Sequence, residues 1–216
     1  MNTIPTEVLK LIYLFAPNEA KTINKTFYSF STKIQFKQGT KIAKELLLQN
    51  YTTKLYKLNL CYNNGIFDEV IKKLTNIQEL DLSYNIIITD DGIKHLTNIR
   101  KLNLSYNSKI TDDGIKCLTN IQELSLPDHH NKITNEGIKH CVNIEKLNLK
   151  RNNLITDDGI KHLTNIRELD LYFNDTITDN GLKSLKNIEI LNLLYNDTIT
   201  DDGIKHLTNI RELDLY

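Results

Sequence analysis

Residues 147–171 read LNLKRNNLITDDGIKHLTNIRELDL, and close copies of this stretch follow one another along most of the chain. Successive copies lie 22 residues apart, except for one step of 23 residues. A strict period of this length is typical of a solenoid, in which each repeat packs against its neighbours. Each copy contains a Leu-x-Leu pair, which begins at Leu58, Leu80, Leu102, Leu124, Leu147, Leu169, Leu191 and Leu213.

Each repeat predicts one short strand and one short helix. Two leucines separated by one residue point to the same side of a strand, so the pair is buried and the residue between them is exposed. The Thr-Asp-Asp stretch that follows predicts a helix start, because the hydroxyl can accept a backbone amide and carboxylates suit the helix dipole. Ile93 and Leu96 are three residues apart and share one helix face. The strand therefore lies inside each turn and the helix outside.

The pattern resembles leucine-rich repeats over roughly residues 55–216. It is similar to the cysteine-containing subclass found in F-box proteins, with shorter repeats and Asn in the place of Cys. The resemblance implies an α/β leucine-rich-repeat solenoid with a parallel concave β-sheet and short outer helices, preceded by a small α-helical N-terminal segment. It also implies that a column of asparagines bonds buried turn backbone. That column comprises Asn63, Asn85, Asn107, Asn152, Asn174 and Asn196.

One repeat departs from the pattern after Leu126. Pro127–Lys132 holds one extra residue. We expect Asn131 to reach the asparagine column through a bulge or a wider loop.

Residues 1–50 do not follow the repeat and resemble an F-box. Its opening is matched by Ile4, Pro5, Glu7, Val8, Leu9 and Ile12, and residues 23–28 resemble its closing segment. The interval between the two parts is about one helical turn shorter than in the family, and Phe27 stands nearest to the place of the family's Trp. The resemblance implies that Ile4, Pro5, Val8, Leu9 and Ile12 bind the linker subunit of a ubiquitin ligase.

A second role of the N-terminal segment is to cap the first repeat. Helices expected at residues 19–27 and 41–48 would shield the first leucines from water. We therefore predict residues 1–50 as an F-box-like helical segment and N-terminal cap. Residues 51–216 are predicted to form a solenoid of about eight 22-residue repeats, the last one incomplete.

On the exposed face of the sheet, the residue before each Leu-x-Leu pair alternates between Lys and Glu. Neighbouring strands lie about 4.8 Å apart, so each charge meets its opposite. Ile190 breaks this ladder. Together with nearby aromatic residues it predicts a concave protein-binding patch, because exposed aromatic clusters are typical of binding surfaces. An ordinary stacked aromatic column beside the asparagines is the alternative. The patch comprises Tyr172, Phe173, Ile190, Leu194 and Tyr195.

The remaining features predict neither an enzyme nor a cofactor or metal site. The 27 acidic and 27 basic residues balance, which argues against nucleic acid or an anionic membrane as partner. Repeat duplication explains the histidine column His95, His140, His162 and His206, which lacks zinc-ligand spacing. The sequence contains no phosphate loop and no nucleophile elbow. Three cysteines do not form a disulfide framework.

Two functional classes follow. In the first, the protein is a substrate-recognition adaptor of a cullin-type ubiquitin ligase, with the linker subunit and a substrate protein as partners. In the second, it is a leucine-rich-repeat scaffold with no ubiquitin link. The composition and near-identical repeats also resemble F-box and leucine-rich-repeat proteins encoded by giant DNA viruses of amoebae, which implies an intracellular location in the cytoplasm of a host cell.

Overall fold

The computed structural model describes residues 33–35, 56–128 and 131–215. In this part of the chain nine strands form one sheet, in which every strand pairs in parallel with the next along the chain. The strands are β1 Lys33–Gln35, β2 Lys57–Asn59, β3 Glu79–Asp81, β4 Lys101–Asn103, β5 Glu123–Ser125, β6 Lys146–Asn148, β7 Glu168–Asp170, β8 Ile190–Leu193 and β9 Glu212–Leu215.

A one-turn helix follows each strand from β2 to β8. The helices are α1 Asp68–Ile71, α2 Asp90–Ile93, α3 Asp112–Ile115, α4 Asn135–Ile138, α5 Asp157–Ile160, α6 Asp179–Leu182 and α7 Asp201–Ile204. Each helix packs against the next one, as each strand does. The predicted α/β solenoid with a parallel sheet and short outer helices is therefore confirmed.

Repeat periodicity fixes the core. In the pairings from β2 to β9 the first leucine of one repeat lies opposite that of the next, as Leu80 lies opposite Leu102. Leu80 and Leu82 are buried while Asp81 between them is partly exposed, as the strand alternation predicts. Ile93 and Leu96 of the helical side are fully buried. Each repeat thus contributes one layer to a continuous apolar core.

The asparagine column bonds turn backbone as the resemblance implies. The side-chain Nδ2 of Asn85 donates to the carbonyl of Asn63 at 2.9 Å, and its Oδ1 accepts the N–H of Ile88 at 3.4 Å. Asn174 donates in the same way to the carbonyl of Asn152 at 2.6 Å. The side-chain amides therefore hydrogen-bond backbone N–H and carbonyl groups of the turns, which have no partner on a neighbouring strand.

The inserted residue interrupts this column, and the expectation for Asn131 is wrong. Asn131 is partly exposed, and its side chain bonds the backbone N–H and carbonyl of Ile133 at 3.0 and 2.9 Å. It lies two residues before that Ile rather than three, so its amide closes a local turn. Asp128 is 8% exposed, and its Oδ1 has no hydrogen-bond partner among the residues that the structure describes.

The sheet begins earlier in the chain than the Leu-x-Leu pairs indicate. β1 pairs in parallel with β2, with Ile34 opposite Leu58. This strand falls within residues 1–50, where the sequence predicts helices and no repeat. The expected helices at 19–27 and 41–48 lie outside the described residues, as do the five F-box-like positions, so the boundary at residue 50 stays a prediction.

Candidate interaction surface

The first column on the exposed sheet face is the predicted charge ladder. Each Lys pairs with the Glu of the following repeat: Lys57 with Glu79, Lys101 with Glu123 at 2.8 Å, and Lys146 with Glu168 at 2.5 Å. The hydrogen bond to Glu123 raises the pKa of Lys101. The ladder is therefore neutralised from within and offers little to a charged ligand.

A second column of Asn and Asp side chains bonds the turn that follows strands β2 to β4 and β6 to β8. The Oδ1 atom accepts the N–H two residues ahead, as in Asn148 to Lys150 at 2.9 Å, Asp170 to Tyr172 at 3.0 Å and Asn192 to Leu194 at 3.0 Å. Burial raises the pKa of Asp170, although the hydrogen bond from the Tyr172 N–H acts in the opposite direction. The side chains of this column are therefore polar because they bond the turns of their own repeats.

The third column differs between the two halves of the solenoid. In the first three repeats it holds Cys61, Ser83 and Ser105, and the Ser83 hydroxyl donates to Asp81 Oδ1 at 2.6 Å. Later repeats place Lys150, Tyr172 and Leu194 at the same position. The face therefore changes from small polar side chains to large cationic, aromatic and aliphatic ones.

A fourth column takes the left-handed backbone conformation. Its members have φ between 50° and 60°: Tyr62, Tyr84, Tyr106, Arg151, Phe173 and Tyr195. Tyr62 stacks on Tyr84, and Tyr84 on Tyr106, with ring centroids 4.1 Å apart in both pairs. In the first half the alternative of an ordinary stacked column is therefore correct.

In the second half three of the predicted patch residues form one ring cluster. Phe173 stacks on Tyr195 at 4.6 Å, and Tyr172 meets both rings edge to face at 4.9 and 5.6 Å. Leu194 directly follows β8, and its carbonyl accepts the N–H of Phe173 at 3.1 Å, so it adjoins the ring cluster.

Ile190 lies apart from these rings. It lines a shallow trough together with Glu168, Asp170, Asn192 and Asp214, none of which is aromatic. Residues two apart on a strand share a face, so Ile190, Asn192 and Leu194 lie in one row. The second-column residue Asn192 therefore lies between Ile190 and Leu194. The predicted patch is thus two areas, a ring cluster and a single aliphatic residue.

Two cations that are not among the predicted patch residues adjoin the ring cluster. Lys150 Nζ lies 4.5 Å from the centroid of the Tyr172 ring. Arg151 Cζ lies 5.6 Å from the Tyr172 centroid and 5.2 Å from that of Phe173. We call Lys150, Arg151, Tyr172, Phe173 and Tyr195 the aromatic–cation cluster. The signal available in the sequence was Lys150-Arg151 one repeat before Tyr172-Phe173.

The described residues contain no group of three His, Cys, Asp or Glu side chains placed to hold a metal ion. Burial raises the pKa of the Cys141 thiol to about 12, so this thiol stays protonated in the core. Across residues 33–35, 56–128 and 131–215, no helix has the length and apolar character needed to cross a bilayer.

Two family models for leucine-rich repeats match the chain, one at residues 53–108 and the other at 140–163, 162–186 and 184–207. No curated protein matches the chain in sequence.

Solved structures match the fold. Internalin C2 of Listeria monocytogenes is 27% identical with a TM-score of 0.61, over 76% of this chain and 72% of that one. A leucine-rich-repeat protein of Leptospira interrogans is 26% identical with a TM-score of 0.66, over 85% and 48%. A chain in the yeast complex of Rad7 and Elc1 is 16% identical with a TM-score of 0.62, over 83% and 52%, which shows the fold alone. The present chain therefore spans about half the length of the latter two.

Proposed function

The chain is a leucine-rich-repeat protein, and on that premise we propose that it is a protein–protein interaction adaptor. The observation that carries this proposal is the exposed aromatic–cation cluster beside a sheet face on which each ladder lysine is paired with a glutamate. Tyr and Arg are enriched where proteins bind one another, because they combine a large apolar area with polar groups. The cluster, Leu194 and Ile190 would form the surface that captures a partner protein.

An adaptor of this kind catalyses nothing itself. It holds two proteins together and so raises the effective concentration of one near the other. Capture of a protein needs an exposed surface of several large side chains, which Phe173 at 39% exposure and Tyr195 at 54% provide. The yeast complex of Rad7 and Elc1 supports the proposal, since a chain of the same fold is found there with a protein partner.

We further propose that the captured protein is a substrate of a cullin-type ubiquitin ligase, whose linker subunit binds residues 1–50. The support is the F-box resemblance at Ile4, Pro5, Val8, Leu9 and Ile12. In this role the protein works inside a cell, in the cytoplasm of a host. The alternative is a leucine-rich-repeat scaffold that bridges or sequesters proteins without a ligase.

A pull-down of the purified linker subunit with the full chain distinguishes the two roles. An adaptor binds it at micromolar concentration and loses it in a Val8→Asp, Leu9→Asp double variant. The matched control is Tyr195→Ala, which alters the other proposed surface and should leave linker binding unchanged. Absence of binding by a folded full chain would decide for the scaffold.

A further inference from the structure

We infer that the aromatic–cation cluster binds a short acidic segment of its partner protein, an inference that rests on the proposed adaptor function. The segment carries a carboxylate that meets Lys150 and Arg151, and an apolar side chain that packs on Tyr195 and Leu194. Charge complementarity and the spacing of these four residues lead to this partner.

Lys150 differs from the ladder lysines in its surroundings. The ladder lysines Lys57, Lys101 and Lys146 each pair with a Glu, whereas Lys150 forms no ion pair within the described residues. Its ammonium group lies over the Tyr172 ring at 4.5 Å, which removes water from one side of the cation. An ammonium has three donors, so it can still bond an incoming carboxylate.

The rings supply the apolar part of the surface. Phe173 and Tyr195 stack face to face at 4.6 Å and leave 39% and 54% of their surface exposed. Stacking holds both rings in place before a partner arrives, so less side-chain freedom is lost on binding. An aliphatic or aromatic side chain of the partner can therefore pack on this platform at low entropic cost.

The distance between the cationic end of this surface, at Lys150, and its apolar end, at Leu194, determines how far apart the two contacting side chains of the partner segment lie. Lys150 and Leu194 occupy the same column two strands apart, which is about 10 Å. An extended segment advances about 3.3 Å per residue, so it covers this distance in about three residues. The partner segment therefore carries its acidic and apolar side chains two or three positions apart.

The neighbouring acids favour a protein segment over a nucleic acid. Asp170 and Asp214 line the trough next to the cluster, and Glu212 has no ion pair in the part of the chain that the structure describes. A polyanionic backbone that followed the sheet face would meet these carboxylates. A segment with one or two acidic residues avoids them.

The test is selection of a random peptide library on phage against the folded full chain, followed by affinity measurements on synthetic versions of the enriched peptides. We expect enriched peptides to carry an acidic residue two or three positions from an apolar one. Lys150→Glu and Tyr195→Ala should each weaken these peptides by at least about tenfold, the loss of one hydrogen bond to a charged group or one aromatic anchor. Selection on Lys150→Glu should enrich basic residues in place of acidic ones.

Two matched controls come from the first half of the solenoid. Tyr62→Ala removes a ring from the same left-handed position as Tyr195, where the third-column neighbour is Cys61 rather than Leu194 and the stacking partner is Tyr84. Lys109→Glu makes the same charge change on an exposed loop. Both variants should leave peptide affinity unchanged within about twofold, since neither residue touches the cluster.

Three outcomes would overturn the inference. Enriched peptides without acidic residues, or an affinity insensitive to Lys150→Glu, would remove the charge argument while leaving the adaptor function standing. If no peptide is enriched, the proposed acidic segment is ruled out. The linker-subunit pull-down would still test the adaptor function separately. Tighter, Lys150-dependent binding of a single-stranded RNA oligonucleotide would assign the cluster to nucleic acid.

Discussion

Asp68 of one repeat accepts two hydrogen bonds from Thr89 of the next, the backbone N–H to Oδ1 at 2.9 Å and the hydroxyl to Oδ2 at 2.6 Å. Gly92 makes room for this carboxylate, because a Cβ there would lie 2.5 Å from Asp68 Oδ1. The first residue of each helix from α1 to α6 thus joins its own repeat to the following one. The same link joins Asp90 to Thr111, Asp112 to Thr134, Asn135 to Thr156, Asp157 to Thr178 and Asp179 to Thr200.

The two aspartates of one motif should differ sharply in their contribution to stability. Asp157→Ala removes both hydrogen bonds to Thr178, at 2.8 and 2.6 Å, and we expect a loss of about 1–3 kcal/mol in the free energy of unfolding. Asp158 is exposed and bonds Lys161, which lowers its pKa. Asp158→Ala should cost much less, because exposed ion pairs contribute little. Urea unfolding of both variants measures the difference, and equal losses would contradict the inter-repeat link.

Asn135 weakens a helix cap, and Asn135→Asp should restore it. The Asn135 Nδ2 donates to the Thr156 hydroxyl at 2.9 Å, and Thr156 makes no side-chain cap bond to its own helix. In the neighbouring repeat Thr178 donates to Asp157 and still accepts the N–H of Asn180 at 3.2 Å. A carboxylate at position 135 should therefore raise the free energy of unfolding by about 1 kcal/mol, the value of one N-cap bond. Lower stability in urea unfolding would show that the amide is preferred there.

Asp179 should make the last described link sensitive to acid. The hydrogen bonds from Thr200 hold the pKa of Asp179 below its ordinary value of 3.8. A carboxyl whose folded pKa is lowered stabilises the fold above the unfolded pKa, and this stabilisation is lost as the pH falls through the folded value. Asp179→Asn removes that contribution, so the free energy of unfolding of the variant should fall less steeply below the ordinary carboxyl pKa.

The matched control for this pH series is Asp201→Asn. Asp201 occupies the same position in the next repeat, and it accepts no inter-repeat hydrogen bond within the described residues. Asp201→Asn therefore removes a carboxylate from the same helix position without removing an inter-repeat hydrogen bond. If both Asn variants show the same profile, the link to Thr200 does not carry the pH dependence.

The buried positions and the helix cap of a single repeat could be predicted from the sequence. The hydrogen bonds between repeats could not. Alternation predicts burial of Leu80 and Leu82, and a hydroxyl before two carboxylates predicts the cap at Thr89. The bond from Thr89 to Asp68 escaped prediction because Asp68 also suits the dipole of its own helix, which is a sufficient local reason for an acid. Asn131 was misplaced because spacing to the preceding Leu and to the following Ile disagree once a residue is inserted.

Ring contacts of the candidate site were only partly predictable. The sequence places Tyr172, Phe173 and Tyr195 close together, because they follow neighbouring strands. It does not show that Phe173 and Tyr195 adopt left-handed backbone, with φ of 50° and 56°. Left-handed aromatic residues are uncommon, and stacking between repeats offsets their backbone cost of about 1–2 kcal/mol.

Ile190 stands where a Lys would complete the fourth pair of the charge ladder, opposite Glu212 in the register. Ile190→Lys should therefore preserve the fold and raise its free energy of unfolding by at most about 1 kcal/mol, the value of an exposed ion pair. Ile188→Lys, two residues earlier, places the same charge at a fully buried core position and should unfold the neighbouring turns. Thermal unfolding followed by circular dichroism separates the two variants. Because Ile190 forms part of the proposed binding surface, Ile190→Lys should also capture less partner protein without any fall in melting temperature. A large stability loss instead would show that Ile190 serves the fold.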